Sequence, residues 1–306
     1  MKPGTAATHG PTNAAGCAPP LPEHGDVSIL FRSGRRKLAQ PTAFRRPIAD
    51  FTRDAAMTAS SPASTVDDAE VARFSAIAAE WWDPVGKFRP LHRMNPLRIA
   101  YIRDALARHF GRDPRAPQPL AGLRLVDIGC GGGLLSEPLA RLGAEVVGID
   151  AAERNIKTAS VHAAEAGVTV DYRNTTAEAL VAAGDRFDGV IALEVLEHVA
   201  DVPLFLTCCS DLARPGGLLF FSTMNRTPKA WLLAIVGAEY VLRWLPRGTH
   251  DWKKFLKPSE VAEGLRSHHV IVRDLTGVVY NPLDDSFRLA PRDLQVNYLL
   301  LGEKAG

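Results

Sequence analysis

An α/β fold built on a doubly wound, mostly parallel sheet of seven strands is what this sequence predicts, and three observations predict it. Between residues 125 and 222, short apolar runs alternate with helix-length amphipathic segments, the pattern of repeated βα units. The first apolar run breaks abruptly into Gly129-Cys130-Gly131-Gly132-Gly133 and then into helix formers, which reads as strand, tight loop and helix start. Asp150 closes the next apolar run, at the edge where such sheets hold ligands.

The elements follow in order. Residues 1–65 are rich in Pro, Gly, Ala, Ser and Thr, with scattered arginines and no sustained hydrophobic period; they read as a disordered extension, or as an over-long reading frame upstream of Met57. No apolar core for a secretory signal is present there, and the likeness to a transit peptide is loose. Residues 66–306 form the main domain. Thr65 or Asp67 caps a helix with an apolar face at Val71, Phe74, Ile77 and Ala78, stopped by Asp83-Pro84. A basic, proline-punctuated loop over 88–98 leads to a second helix through Ile99, Ile102, Leu106 and Phe110. Trp81 and Trp82 ahead of the glycine loop suggest a cover over the site, the alternative being plain packing. Strands are expected at 125–128, 145–150, 168–172, 187–193, 218–222, 270–275 and 296–301, with helices at 136–142, 152–166, from 176, and 204–212, and a turn at 214–217.

The charged fraction of 23% and net charge of +2 are too mild to argue for nucleic acid. Cys17, Cys130, Cys208 and Cys209 show neither C-x-x-C nor zinc spacing, so reduced thiols are expected. Residues 231–245 are largely apolar, yet shorter than the ~20 residues a spanning helix needs, and Glu239 and Arg243 interrupt them. With Arg226, Lys229, Arg247, Lys253 and Lys254 nearby, an insertion over 226–258 suits an interfacial helix on an anionic membrane surface, with a buried core helix as the alternative.

Glycine lets the backbone approach a ligand closely, and the following helix offers unpaired N–H groups. A dinucleotide fingerprint would need glycine or alanine where Leu134 stands, and no Lys-Ser or Lys-Thr pair follows as a P-loop requires. The register is D-x-G-x-G-x-G instead, at Asp127, Gly129, Gly131 and Gly133. That motif resembles the first motif of the class I S-adenosylmethionine-dependent methyltransferases, a Rossmann-like fold, and the resemblance implies cofactor contacts at Asp127, Gly129 and Gly131. Asp150, 21 residues after Gly129, can accept hydrogen bonds from ribose hydroxyls, or cap the helix after it. Glu194, Glu197 and His198 fall on one face if a helix begins at Glu194. Such a trio can hold a divalent cation such as Mg²⁺ or position a general base, with plain helix-dipole acids as the alternative.

Further segments narrow the resemblance: Trp81-Trp82-Asp83, the run 90–98, Glu194-Val195-Leu196-Glu197-His198, Gly237-Ala238-Glu239-Tyr240 and Gly248-Thr249-His250-Asp251. Together with the glycine loop they resemble the ubiquinone-biosynthesis O-methyltransferase family from about residue 71 to 300. The resemblance implies that Arg98 pairs the cofactor carboxylate, that Gly129 lines the methionine part, that Asp150 meets the ribose and that Leu193 sits at the strand edge. It also implies O-methylation of ring hydroxyls on polyprenylated phenols and quinols, two such steps, and peripheral attachment beside other enzymes of that route. The cytoplasmic face of an inner membrane fits better than a mitochondrial matrix, given the weak amino-terminal signal. His198 or His250 is the expected base, with Glu197 beside them; the metal version uses Glu194, Glu197 and His198. Competing expectations are a methyltransferase for another lipophilic phenol, a catalytically silent membrane-bound scaffold, and a nicotinamide oxidoreductase.

Overall fold

The computed structural model describes residues 64–233 and 251–306. The amino-terminal extension and most of the 231–245 segment, with His250, therefore lie outside the described residues. In the described chain, helices α1 (Asp68–Ala76) and α2 (Arg89–His109) precede the sheet, joined by a 3₁₀ turn at Ala78–Glu80. Then come β1 (Arg124–Ile128), α3 (Ser136–Arg141), β2 (Glu145–Asp150), α4 (Glu153–Glu165), β3 (Asp171–Asn174), α5 (Ala177–Ala182), β4 (Phe187–Leu193), α6 (Val202–Leu212) and β5 (Ala213–Met224). A single turn α7 (Pro228–Ala230), helix α8 (Pro258–Arg266) and strands β6 (Val270–Asn281), β7 (Ser286–Ala290) and β8 (Asn297–Lys304) complete it.

One sheet holds eight strands in the order β3-β2-β1-β4-β5-β8-β6-β7. β1 to β5 pair parallel, and β8 runs antiparallel to both β5 and β6. Successive side chains of a strand leave opposite faces, and both faces here are covered. Leu125, Val146, Ile191 and Phe220 pack with Ile102 and Leu106 of α2 and Leu139 of α3. Val126, Val147, Val190 and Phe221 pack with Leu180, Phe205, Leu212 and Leu265 of α5, α6 and α8. That double coverage explains the continuous apolar runs of the parallel strands.

Four expectations shift. The eighth strand, β7, was not foreseen: β6 runs past residue 275 to Asn281 and turns back, with Tyr280 pairing Phe287. The 88–98 stretch is helix rather than loop, since α2 starts at Arg89 with Pro90 in its first turn and carries Pro96 inside. Proline inside a helix removes one backbone bond; burial of Met94, Asn95, Arg98, Ile102 and Leu106 along one face outweighs it. β3 begins three residues late because α4 is still closing: Val168 N–H donates to Ala163 O and Gly167 N–H to Ala164 O, a Schellman cap with Gly167 at φ 63°. Finally, residues 214–217 bulge within β5, between the pairs Phe187 with Ala213 and Gly189 with Leu218.

The ends of the 226–258 insertion are pinned together. Trp252 Nε1 donates to Thr227 O at 3.4 Å, Leu256 N–H donates to Met224 O, and Phe255 packs with Met224 and Ala230. Trp231, Leu232 and Leu233 stand about half exposed. Among the described residues no helix is long and apolar enough to cross a membrane.

Gly277 of β6 lets the turn after β7 lie directly across the sheet, because a Cβ there would overlap the backbone carbonyl of Asp293. Gly277→Ala is therefore expected to destabilise the fold by about 1–3 kcal/mol through forced backbone movement. Urea unfolding checks it; an unchanged midpoint contradicts this packing.

Candidate active site

The parallel strands end on one side of the sheet, and a cavity of about 690 Å³ opens there. Its floor comes from the last residues of β1, β2 and β4. Its walls come from α1, α2, the segment between them, and the β6–β7 hairpin. Arg98, Asp127, Gly129, Asp150 and Leu193 all line it, as do Glu194, Glu197 and His198. Gly131, foreseen as a cofactor contact, does not.

The loop itself explains why. Gly129, Gly131 and Gly133 take φ of 71°, 55° and 87°, the left-handed region that glycine enters without steric cost. Gly129 and Cys130 N–H both donate to Ile149 O at 2.8 and 2.9 Å, and Gly131 N–H donates to Asp150 Oδ2 at 3.0 Å. The amides expected to face a ligand thus tie the loop to the end of β2. A Cβ on Gly131 or Gly132 would run into the Trp81 indole, and one on Gly133 into the Tyr172 hydroxyl. Close approach is what these glycines provide, in part to protein rather than ligand.

Trp81 and Trp82 do cover the loop, and they also pack. Trp82 Nε1 donates to Gly132 O at 2.8 Å, and its ring stacks on His162 at 3.4 Å. Trp81 stacks on Phe88 at 3.7 Å and donates from Nε1 to Asn155 Oδ1 at 2.9 Å.

Asp150 stands between the loop, the chain leading into α4 and the cavity. Oδ1 accepts from Ala152 N–H at 2.7 Å, opening α4, while the carboxylate lines the cavity. Asn155 Nδ2 adds a bond to Oδ2 at 3.2 Å. Burial raises its pKa, and the donors Ala152, Asn155 and Gly131 work against that rise. Asp127 lies deeper, accepting from Ser136 Oγ at 2.6 Å. Burial, with the nearby Asp150 charge adding to it against the Ser136 bond, pushes Asp127 up to about 7.

At the far side, Arg98 is 2% exposed and pairs with Glu194. Glu194 also accepts from Ser222 Oγ at 2.7 Å and Asn297 Nδ2 at 2.9 Å. Its backbone is left-handed at φ 56°, so no helix starts there; a 3₁₀ turn spans Leu196–His198 instead. The shared helical face expected for Glu194, Glu197 and His198 is corrected accordingly. Glu194 faces Arg98, Glu197 is buried and accepts from Thr223 Oγ1 at 2.7 Å, and His198 Nδ1 sits 3.2 Å from Glu70. Among the described residues no three His, Cys, Asp or Glu side chains converge as a metal site. Burial and then the Glu194 charge push Glu197 well above the usual carboxylate range. Burial would raise Glu70 too, but His198, Arg73 and Lys254 outweigh it and hold Glu70 at about 2.

Sequence reasoning missed Glu70, Asn155, Ser222, Thr223 and Asn297. Only Asn155 left a trace, as a polar residue in the first turn after Asp150. The three thiols among the described residues, Cys130, Cys208 and Cys209, are free and buried.

A nucleoside with a charged amino-acid tail fits these residues. The cavity is lined by the Asp150 carboxylate and by the buried Arg98 guanidinium, whose Nε has no partner among the described residues. With the sheet order, this defines a class I S-adenosylmethionine-dependent methyltransferase. Residues 126–221 match the family described as "Methyltransferase domain". The fold resembles that of the S-adenosylmethionine-dependent methyltransferase of Thermotoga maritima described as a possible histamine N-methyltransferase, with TM-score 0.50, 18% identity, and 77% of this chain and 99% of that one covered. More specifically, the chain is 61% identical to the "Ubiquinone biosynthesis O-methyltransferase" of Parvibaculum lavamentivorans over 242 residues, covering 79% of this chain and 95% of that protein. The protein of the same name from Chelativorans sp. is 59% identical over 241 residues, with the same two shares. The chain belongs to the ubiquinone biosynthesis O-methyltransferase family, and it is an S-adenosylmethionine-dependent O-methyltransferase.

The Asp127 environment yields a stability signature. Its folded-state carboxyl titrates near 7, against an ordinary value of 3.8. The folded state therefore holds an extra proton between those values, and stability falls as pH rises through that window. Asp127→Asn removes the titration. Relative to the parent, the variant is expected to gain stability between pH 5 and pH 8, read by denaturant unfolding without cofactor. A gap independent of pH contradicts the assignment.

Proposed function

We propose that this chain methylates ring hydroxyls of polyprenylated phenols and catechols, at both O-methylation steps of ubiquinone biosynthesis, while attached to an anionic membrane surface. One observation carries the reading: a single cavity is lined by Asp150, by Gly129 and Cys130 of the glycine loop, and by His198. Curated relatives named for ubiquinone biosynthesis support the substrate class.

Asp150 would hold the ribose of S-adenosylmethionine, Gly129 and Leu193 the thioether region, and Arg98 the carboxylate. Bound there, the cofactor supplies a methyl group already activated on a sulfonium. What remains for the protein is alignment of the phenol oxygen and removal of its proton, and alignment provides much of the rate. His198 accepts that proton at Nε2. Nδ1 stands between the Glu70 carboxylate at 3.2 Å and Arg73 at 3.4 Å. With the Nδ1 proton turned to Glu70, Nε2 keeps its lone pair. The ionised Glu70 then faces the ring that gains positive charge. Phe74 meets the same ring edge-on at 5.1 Å, fixing its plane.

The apolar walls suit an isoprenoid substituent: Leu91 and Met94 from α2, Val278 and Phe287 from the β6–β7 hairpin. They also exclude water from the transfer. Leu233 and Lys229 line the cavity and adjoin exposed Trp231 and Leu232, so a lipid-borne acceptor enters from the surface that touches the bilayer. Exposed Lys253 beside Trp252 suits anionic headgroups.

The test is incubation with a labelled methyl donor and a short-chain demethylated quinol, with product analysis. Label is expected on a ring oxygen. His198→Ala is expected to lower kcat about a hundredfold or more, the range of general-base catalysis, with affinity for S-adenosylhomocysteine unchanged. Full kcat in that variant removes His198 as base, and label confined to unprenylated or unrelated phenols removes the substrate assignment.

A further inference from the structure

We propose that Trp81 and Asn155 are positioning residues for the ribose-binding carboxylate, so that the segment between α1 and α2 sets the enzyme's recognition of the cofactor's ribose. The inference rests on the reading of Asp150 as the ribose partner.

An indole N–H can only donate. Because Trp81 Nε1 donates to Asn155 Oδ1 at 2.9 Å, the Asn155 amide is locked with its NH₂ toward Asp150, 3.2 Å from Oδ2. Asn155 is 2% exposed and Trp81 7%, so water does not compete for either group. The indole is held in turn: Phe88 stacks on it with planes 9° apart, the Trp81 carbonyl meets His92 Nε2 at 2.9 Å, and the bare backbone of Gly131 and Gly132 lies under its face. The absence of side chains at those two glycines thus serves the tryptophan.

The consequence is a count of acceptor sites. A carboxylate offers about four. Asn155 Nδ2 and Gly131 N–H occupy Oδ2, and Ala152 N–H occupies one position on Oδ1. One site on Oδ1 stays open, so Asp150 takes one ribose hydroxyl at full strength. Removing the indole N–H frees the amide to turn, and removing the amide frees the carboxylate. Either change loosens the same hydroxyl contact.

The experiment is calorimetric binding of S-adenosylhomocysteine and its 2′-deoxy and 3′-deoxy forms to the parent, Trp81→Phe, Asn155→Ala and the double variant. In the parent, loss of one hydroxyl is expected to weaken binding about tenfold or more, as for a hydrogen bond to a charged group, and loss of the other by less. In each single variant that penalty is expected to shrink to about threefold or less, and the double variant to add nothing further, as residues in one network do. Trp81→Phe keeps the stack on Phe88, and Asn155→Ala tests the relay independently should the first variant fold poorly. A merely structural role weakens all three ligands equally and leaves the hydroxyl penalty intact; that result overturns the proposal. If the parent shows no penalty for either deoxy ligand, the Asp150 reading itself falls, and the relay with it.

Discussion

The carboxylate of Asp150 is the point on which the active-site edge of this molecule depends. It ends β2 half-buried, in surroundings that disfavour its charge, and three donors from three directions hold it there. One donor belongs to the glycine loop, one opens α4, and one is a side chain fixed by a tryptophan from outside the sheet. Strand, loop, helix and covering segment therefore meet at a single charge. An unpartnered carboxylate in such a place would be costly; a satisfied one makes the arrangement specific. Burial raises the pKa of neighbouring Asp127, and the Asp150 charge adds a smaller push in the same direction.

A second buried charge sets the opposite end. Arg98 is 2% exposed; it donates to Glu194, just past β4, and to Ser222 of β5, while Asn297 of β8 donates to Glu194 in turn. Glu194 reaches Arg98 from a left-handed backbone, a conformation that costs a non-glycine residue and persists only where surrounding contacts over-determine it. The same cavity is lined by apolar side chains of α2 and the hairpin, among them Leu91, Met94, Val278 and Phe287, beside these two charges.

Much of this was legible in the sequence. The parallel core follows from apolar runs punctuated by glycine, and β2 and β4 fall where those runs predict them, because strands buried on both faces leave the clearest trace. Asp67, Thr176 and Gly167 act at the helix ends where their chemistry places them. Illegible were features fixed by distant contacts. Pro96 sits inside α2 because tertiary burial overrides a local breaker. β7 is five residues of an edge hairpin, too short for periodicity to mark. The trio Glu194, Glu197 and His198 looks like one helical face only if a helix starts at Glu194, and the Arg98 contact forbids that. Glu70 and Asn297 join the site from 128 and 103 residues away from His198 and Glu194 respectively only in the folded chain, and no spacing announces such pairs.

The cofactor is expected to lodge where β1, β2 and β4 end, with its reactive centre facing His198. A crystal structure with S-adenosylhomocysteine bound measures this most directly. A ribose hydroxyl is expected within hydrogen-bonding distance of Asp150 Oδ1, and the sulfur is expected to face the part of the cavity that His198 lines. A nucleoside seated elsewhere, or a crevice that stays closed at saturating ligand, would contradict it.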